Sequence, residues 1–309
     1  MKILLAVSGG IDSMYMAHRA PELFPGASFA VAHCNFTLRG DESDGDEQFV
    51  RDWCAKSGMP LFVRRFRTEE HAAARGISIE MAARELRYAW FAELCREHGF
   101  DALATAHNAN DNAETLLLNM IRGCGSKGMR GMSPDSPLQG DSSLRLLRPL
   151  LGTERSEIRE WMEAHSEGWR EDRTNAESDC RRNVLRNEVF PILRGLNPSV
   201  IGTFGDDMAR LRQTDDIAED YLREALGKVA LPDGSFSVTA LLALKHWKYV
   251  LWRILEDTGI NAQTFNRMTE LLERYAGSPS GTVTLSGKSF ETATCIVRFE
   301  RKRMTLIPR

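Results

Sequence analysis

A chain of 309 residues with net charge −3, 42% hydrophobic and 27% charged residues, has the balance of a globular protein of about two domains. No apolar run approaches the roughly 18 residues of a membrane span, and no signal peptide is expected ahead of a strand entered at Lys2. Cysteines at 34, 54, 95, 124, 180 and 295 lack C-x-x-C spacing, which fits reduced thiols in a cytoplasmic protein.

The mild net charge excludes a uniformly basic nucleic-acid binder but not local patches. From residue 288 onward six Lys or Arg face Glu291 and Glu300, a local charge of +4. Residues 120–150 carry five basic groups against Asp135 and Asp141, a local charge of +3.

The run Ile3-Leu4-Leu5-Ala6-Val7 predicts a strand buried on both faces. Behind it Ser8-Gly9-Gly10-Ile11-Asp12-Ser13 supplies a glycine turn, and residues 12–18 open a helix with an acid in its first turn. Strand, glycine turn and helix N-terminus together make an anion site of backbone N–H groups, suited to a phosphate chain. The Lys of the nucleotide loop G-x-x-x-x-G-K-[ST] is absent.

Residues 28–34 read as a second strand and 39–44 as a polar loop, followed by helical spacing at Phe49, Val50, Trp53 and Cys54. A third strand is expected over 60–66, with Arg64 and Arg65 marking a sheet edge. Residues 78–98 predict a helix capped by Ser78 and closed by Gly99. A fourth strand follows at 101–106 and a helix over 110–122. This alternation predicts a Rossmann-like α/β parallel sheet with helices on both faces. Ligands of such sheets sit beyond the carboxyl ends of the strands, where Ser8, His33 and His107 all fall.

Gly123-Cys124-Gly125-Ser126-Lys127-Gly128 matches G-x-G-x-x-G but follows a helix, which rules against a dinucleotide fingerprint. Helices are expected over 153–166 and 181–194. Pro198 marks the boundary between a domain at 1–197 and a smaller, mostly helical one at 198–309. In the second domain 199–227 and 239–276 read as helical, with a turn at Pro232-Asp233-Gly234. The alternations Thr282-Val283-Thr284-Leu285 and 295–300 suggest strands. Gly287-Lys288-Ser289 is not a nucleotide loop, because Gly281 stands one residue too far back and a hairpin follows.

His107, Asp111, Glu114 and Thr115 form H-x-x-x-D-x-x-E-T, with positions 111, 114 and 115 on one helix face. Two carboxylates beside phosphates need a cation between them, either Mg²⁺ or a substrate ammonium. The plainer alternative is a pair of N-terminal acids favouring the helix dipole. The glycines between Arg122 and Met132 fit either a surface connection or a loop closing over a nucleotide. Glu80 and Arg84 at i, i+4, with Arg87 nearby, read as a salt-bridged helix surface.

The S-G-G-I-D-S loop resembles the pyrophosphatase loop of the N-type ATP pyrophosphatases. With it, S-I-E-M-A-A-R-E-L-R-Y at 78–88, A-H-N-A-N-D-N-A-E-T at 106–115, R-G-C-G-S-K-G-M-R-G-M at 122–132 and R-P-L-L at 148–151 resemble, in order, the tRNA(Ile)-lysidine synthases. E-D-R-T-N at 171–175 and R-R-N-V-L-R at 181–186 are similar to that family's closing signature.

The resemblance implies a ligase that uses ATP to adenylate O2 of the wobble cytidine of a tRNA(Ile) bearing the anticodon CAU. The ε-amine of free L-lysine then displaces AMP. It implies catalytic and lysine-binding work for Asp12, Asp111 and Glu114, with Mg²⁺ on Asp12 and Asp111. ATP contacts are expected at Ser8, Gly9, Gly10, Ile11, Asp12, Ser13, Ala32, His33, His107, Arg122 and Gly123. Contacts to tRNA are expected at Arg84, Arg87, Arg148, Arg182, Arg186, Arg301 and Arg303, making 198–309 a tRNA-binding domain. No membrane partner is expected, and a homodimer is left open. The chain departs from the family at Thr37, where His commonly precedes Leu-Arg, and by its length it resembles the short type. The rival on the same loop is a tRNA sulfur transferase, whose chemistry needs nucleophilic thiolates, with Cys34 and Cys124 as the nearest candidates.

Overall fold

A computed structural model describes residues 1–139, 141–171, 180–278 and 283–309. The chain divides into two compact units, Met1–Arg212 and Gln213–Arg309.

The first unit is built on six strands: β1 (Lys2–Ala6), β2 (Ser28–Asn35), β3 (Leu61–Arg65), β4 (Ala102–Ala104), β5 (Asp135–Leu138) and β6 (Asp141–Leu147). Their order is β3-β2-β1-β4-β6-β5. All neighbours pair in parallel except β5 with β6. The central strand is apolar because each face meets a core. Ile3 and Leu5 enter one cluster with α1 (Ile11–Leu23), α2 (Asp41–Ser57) and residues that include Ile158 and Met162. Leu4 enters the other with Trp90, Phe91 and Leu94. β3 lies on the edge, as its arginines suggested.

The chain leaves β1 for β2 on one side, while β4 lies on the other, so the strand order reverses beside β1. A crevice beyond the carboxyl ends of β1 and β4 follows from that topology.

The helices on this sheet are those two, α3 (Thr68–Arg75), α4 (Ile79–His98), α5 (Ala109–Arg122), the single turn α6 (Ser126–Met129) and α7 (Arg155–Ala164). The hydroxyl of Ser78 caps α4 by accepting from Met81 N at 3.2 Å, and Gly99 closes it in the left-handed conformation. Residues 180–196 form one helical stretch: α8 (Cys180–Val184), a π-turn over Leu185–Val189 and α9 (Phe190–Leu196). Within it Phe190 N donates to Leu185 O, five residues back, and Pro191 next to it has no N–H to offer.

Three expectations change. The polar loop at 39–44 ends at Gly40, because Asp41, Glu42 and Asp44 are favourable in the first turn of α2. The strand expected at 282–285 is absent over 283–285, Thr282 lying outside the described residues. The glycine stretch after α5 is pinned back onto that helix. Asn119 Nδ2 donates to Gly128 O at 2.9 Å, and Asn112 Oδ1 accepts from Met132 N at 2.7 Å. Gly131, at φ +66°, packs so closely on Asn112 and Met208 that a side chain would collide with both.

One helix, α10 (Val200–Val229), runs through the point where the two units divide. The second unit adds α11 (Val238–Leu242), α12 (Trp247–Leu255), α13 (Ala262–Ala276) and four antiparallel strands. These are β7 (Phe236–Ser237), β8 (Lys288–Glu291), β9 (Cys295–Glu300) and β10 (Arg303–Pro308), ordered β7-β10-β9-β8. Alternation along β9 points Val297 and Phe299 into a core with Leu251, Leu272 and Met304.

Candidate active site

Beyond the carboxyl ends of β1 and β4 lies a cleft of about 520 Å³, within the range of small-ligand sites. The glycine loop forms its floor. Ser13 Oγ accepts from the backbone N–H groups of Ser8 and Gly9 at 3.1 and 3.2 Å and donates to Gly10 O at 2.8 Å. Gly9, at φ +96°, adopts a conformation that disfavours side chains, and it packs on Phe49 and Val50 of α2. Its carbonyl accepts from Arg170 N at 2.9 Å, and Arg170 Nε in turn donates to Asp46 at 3.0 Å. The residues after α7 thus brace the loop from outside.

Across the cleft α5 begins with a reciprocal cap. Asn108 Oδ1 accepts from Asp111 N, and an Asp111 carboxylate oxygen accepts from Asn108 N, both at 3.1 Å. The remaining donor of Asn108, Nδ2, reaches Asp12 Oδ1 at 3.0 Å. One buried asparagine therefore ties the acid that opens α1 to the acid that opens α5. Burial raises the Asp12 pKa above the ordinary carboxylate value; Arg155 opposes the shift and Asp111 adds to it.

Glu114 sits one turn deeper and is 1% exposed. A cation of the protein's own stands beside these acids: Arg186, on the π-turn. Its Nε donates to Glu114 Oε1, and its Nη2 reaches Glu114 Oε2 at 3.0 Å and Asp111 Oδ1 at 3.1 Å. Burial still raises the Glu114 pKa, against the pull of Arg186. Among the described residues no group of three His, Cys, Asp or Glu side chains is arranged to hold a metal ion.

His107 lines the cleft with Nδ1 3.0 Å from Thr105 Oγ1, and burial lowers its pKa to about 4. It is neutral at pH 7 and able to share, not repel, a proton or a base edge.

Of the expected ATP contacts, Ser8, Gly10, Ile11, Asp12, Ser13 and His107 line this one cleft. Gly9 is buried beneath it. Ala32 and His33 are 1% and 2% exposed and lie behind the loop, with His33 Nδ1 donating to Val7 O at 2.9 Å. Arg122 and Gly123 lie at the far end of α5, where Arg122 borders an apolar groove with Ile121 and Val184.

Of the expected tRNA contacts, Arg87 and Arg186 line the cleft. Arg84 borders a neighbouring groove with Arg75, Arg96 and Tyr88. Arg148 is half-buried and donates to Ser133 O at 2.7 Å and Ser136 Oγ at 3.0 Å. The Arg182 charge helps depress the pKa of His107. In the second unit Arg303 pairs with Asp233 at 2.5 Å, while Arg301 and Lys302 turn from β9 to β10 with φ of +43° and +68°. The signature residues 172–175 lie outside the described residues, whereas Glu171 lines the cleft.

Sequence reasoning missed Asn108, Arg155, Arg159 and Trp169. Only Asn108 carried a readable signal, as an Asn three residues before an acid at a helix start. Thr37, the departure from the family pattern, holds φ +53° and donates its hydroxyl to Phe66 O at 2.7 Å. The Cys34 thiol is pushed up to about 12 by burial and is no thiolate at pH 7.

Residues 1–193 match the PP-loop domain family. Among curated proteins, the chain is 39% identical over 290 residues to the tRNA(Ile)-lysidine synthase of Chlorobaculum tepidum, covering 89% of this chain and 84% of that protein. It is 35% identical over 279 residues to the tRNA(Ile)-lysidine synthase of Bacteroides thetaiotaomicron, covering 89% of this chain but 62% of that longer protein. Among solved structures, the U34-tRNA thiolase NcsA from Methanococcus maripaludis with its [4Fe-4S] cluster superposes with TM-score 0.57 at 19% identity, over 68% of this chain and 72% of that one. That likeness concerns the fold alone. The phosphate-binding loop, the two helix-opening acids joined through Asn108 and the similarity along most of the sequence agree: the chain belongs to the tRNA(Ile)-lysidine synthase family of PP-loop enzymes.

Proposed function

We propose that this enzyme joins free L-lysine to C2 of the wobble cytidine of tRNA(Ile) bearing the anticodon CAU, consuming ATP and releasing AMP and pyrophosphate. The supporting observation is the single hydrogen-bonded unit Asp12–Asn108–Asp111 at the rim of a glycine phosphate loop.

Cytosine O2 is a poor leaving group. Its attack on the α-phosphorus of ATP forms an O–P bond as the Pα–O bond to pyrophosphate breaks. The backbone N–H groups of the loop Ser8 to Ser13 bind the phosphates, those of Ser8 and Gly9 in place of Ser13 Oγ, and neutral His107 borders the reacting base. Ala32 and His33 support the loop from behind, on the side where adenine is expected. In the second step the lysine amine forms a bond to C2, and the C2–O bond to AMP breaks.

A lysine ammonium with pKa near 10.4 is neutral in only about one molecule in a few thousand at pH 7. An acid whose pKa is raised, as burial raises that of Asp12, is a stronger base than an ordinary carboxylate. Asp12 takes the proton and Asp111 holds the amino acid, while Glu114, buried outside the lining of the cleft, fixes Arg186 behind it. Asp12 and Asp111 also fit Mg²⁺, which binds through one or two carboxylates plus substrate phosphates, and would there neutralise charge on the phosphates. Arg84, Arg87, Arg148 and Arg182, with Arg301 and Arg303 of the second unit, contact the tRNA backbone. The reaction takes place in the cytoplasm, and a homodimer is compatible with it.

The test mixes labelled lysine, ATP, Mg²⁺ and CAU tRNA(Ile) with the enzyme. Label on the RNA, dependent on ATP, is expected; pyrophosphate release without label on the RNA would overturn the reading.

A further inference from the structure

The loop has no lysine of its own, yet a leaving pyrophosphate carries several negative charges. α7 packs beside α1, with Trp161 edge-on to Tyr15, and Arg155 of its first turn lines the same cleft as Asp12 of the first turn of α1 and bears on its charge. That first turn is fastened to α5 as well: Asn110 Oδ1 accepts from Arg155 N at 3.0 Å, and Ala109 N donates to Thr153 O at 3.0 Å. Arg155 and Arg159, at i and i+4, therefore share one face of α7, and both line the cleft.

Their pairing differs from that of Arg186 and Arg170, while Arg87, which also lines the cleft, lies 5.1 Å from the Phe36 ring centroid. Arg186 is bound to Glu114 and Asp111, and Arg170 is bound to Asp46. Among the described residues Arg159 makes a 3.8 Å contact with Glu163 and lies 5.9 Å from the Trp169 ring centroid. The Arg155 guanidinium forms no ion pair among the described residues, although its field reaches Asp12. A fixed helix thus presents an uncommitted guanidinium to the phosphate loop, with a second one turn along.

We propose that Arg155, seconded by Arg159, binds the β- and γ-phosphates of ATP and neutralises the pyrophosphate as it leaves. This rests on the reading above and extends it to residues that carried no sequence signal. When the Pα–O bond breaks, its electron pair stays on the pyrophosphate oxygen, and the planar guanidinium donates two parallel N–H bonds to that growing charge. Arg186, saturated by carboxylates, is left to serve the acid side of the cleft.

The test uses inorganic pyrophosphate as the probe, titrated calorimetrically into the full-length protein without RNA or lysine. Arg155→Gln should weaken pyrophosphate binding by about tenfold or more, and Arg155→Lys should restore most of it. Arg159→Gln should weaken it by a smaller factor. In turnover, Arg155→Gln should slow pyrophosphate release at saturating ATP and leave the KM for lysine unchanged, which a merely structural role would not produce. Pyrophosphate affinity within twofold of the parent in folded Arg155→Gln would overturn the proposal. Were that variant unfolded, pyrophosphate affinity within twofold of the parent in folded Arg155→Met would overturn it as well. Failure of the parent to label tRNA with lysine would instead strike the function, since pyrophosphate binding is read separately.

Discussion

Replacing Arg186 with Met tests the electrostatic core of the site. The guanidinium holds Glu114, 1% exposed, through both carboxylate oxygens, and also holds Asp111. Met keeps the apolar stem and removes the charge, leaving a buried carboxylate without a counterion. Breaking a buried pair from one side costs about 3–5 kcal/mol. For a unit of this size that is a fall in Tm of roughly 6–20 °C.

The loss should depend on pH, and its sign follows from linkage. Burial already raises the folded-state pKa of Glu114, and removing Arg186 raises it further. Between the unfolded value, near 4.3, and the raised one, the folded state keeps a proton that the unfolded chain has released. Stability is therefore fully present below the unfolded pKa and declines as pH climbs through the folded one. Urea denaturation of Arg186→Met should show a deficit at pH 8 that shrinks clearly by pH 5. Adding Glu114→Gln, which removes the stranded charge, should recover part of the deficit at pH 8. A deficit below about 1 kcal/mol at pH 8, or one equal at both pH values, would refute the idea that Arg186 is the counterion of Glu114.

Asn108→Ala removes the cap of α5 and the donor to Asp12; a loss of about 0.5–2 kcal/mol in denaturation is expected, with a larger proportional loss of lysine transfer. Transfer that falls no further than stability does would reduce Asn108 to a cap. Asp111→Ala should abolish labelling of tRNA by lysine while ATP still binds in a filter or calorimetric assay, and unchanged turnover would reject its role. Replacing Arg301, Lys302 and Arg303 together should weaken tRNA binding and flatten its dependence on salt, whereas identical salt slopes would clear that turn of phosphate contact. Replacing all six cysteines with Ser should leave lysine incorporation in place, and its loss in a folded variant would reopen sulfur chemistry.

Much of the catalytic unit was legible because its signals are local. Five apolar residues before Ser8 can be buried on both faces only in the middle of a sheet, and β1 is there. Ser78 and Gly99 bracket α4 because cap chemistry is written in neighbouring residues. β6 escaped notice because three leucines among polar residues at 141–147 carry little strand signal alone; pairing with β4 supplies the rest. Arg186 read as a tRNA contact, since nothing local reveals that a π-turn aims it at two carboxylates more than seventy positions earlier. Arg155 was silent for the same reason, since its place depends on α7 packing against α1.

In the proposed reaction the cleft receives a polyanion and an ammonium in turn, and one uniform potential would repel one of them. The fold resolves this by assigning the signs to different helices. α7 contributes arginines with little or no carboxylate pairing, and α5 contributes acids whose charge is contained by Arg186. Asp12, opening α1, is coupled to both groups: Arg155 pulls its pKa down and Asp111 pushes it up. Phosphates on Arg155 would cancel the first influence and leave the second. In the proposed reaction Asp12 should then be more basic with the phosphates bound than after pyrophosphate has left.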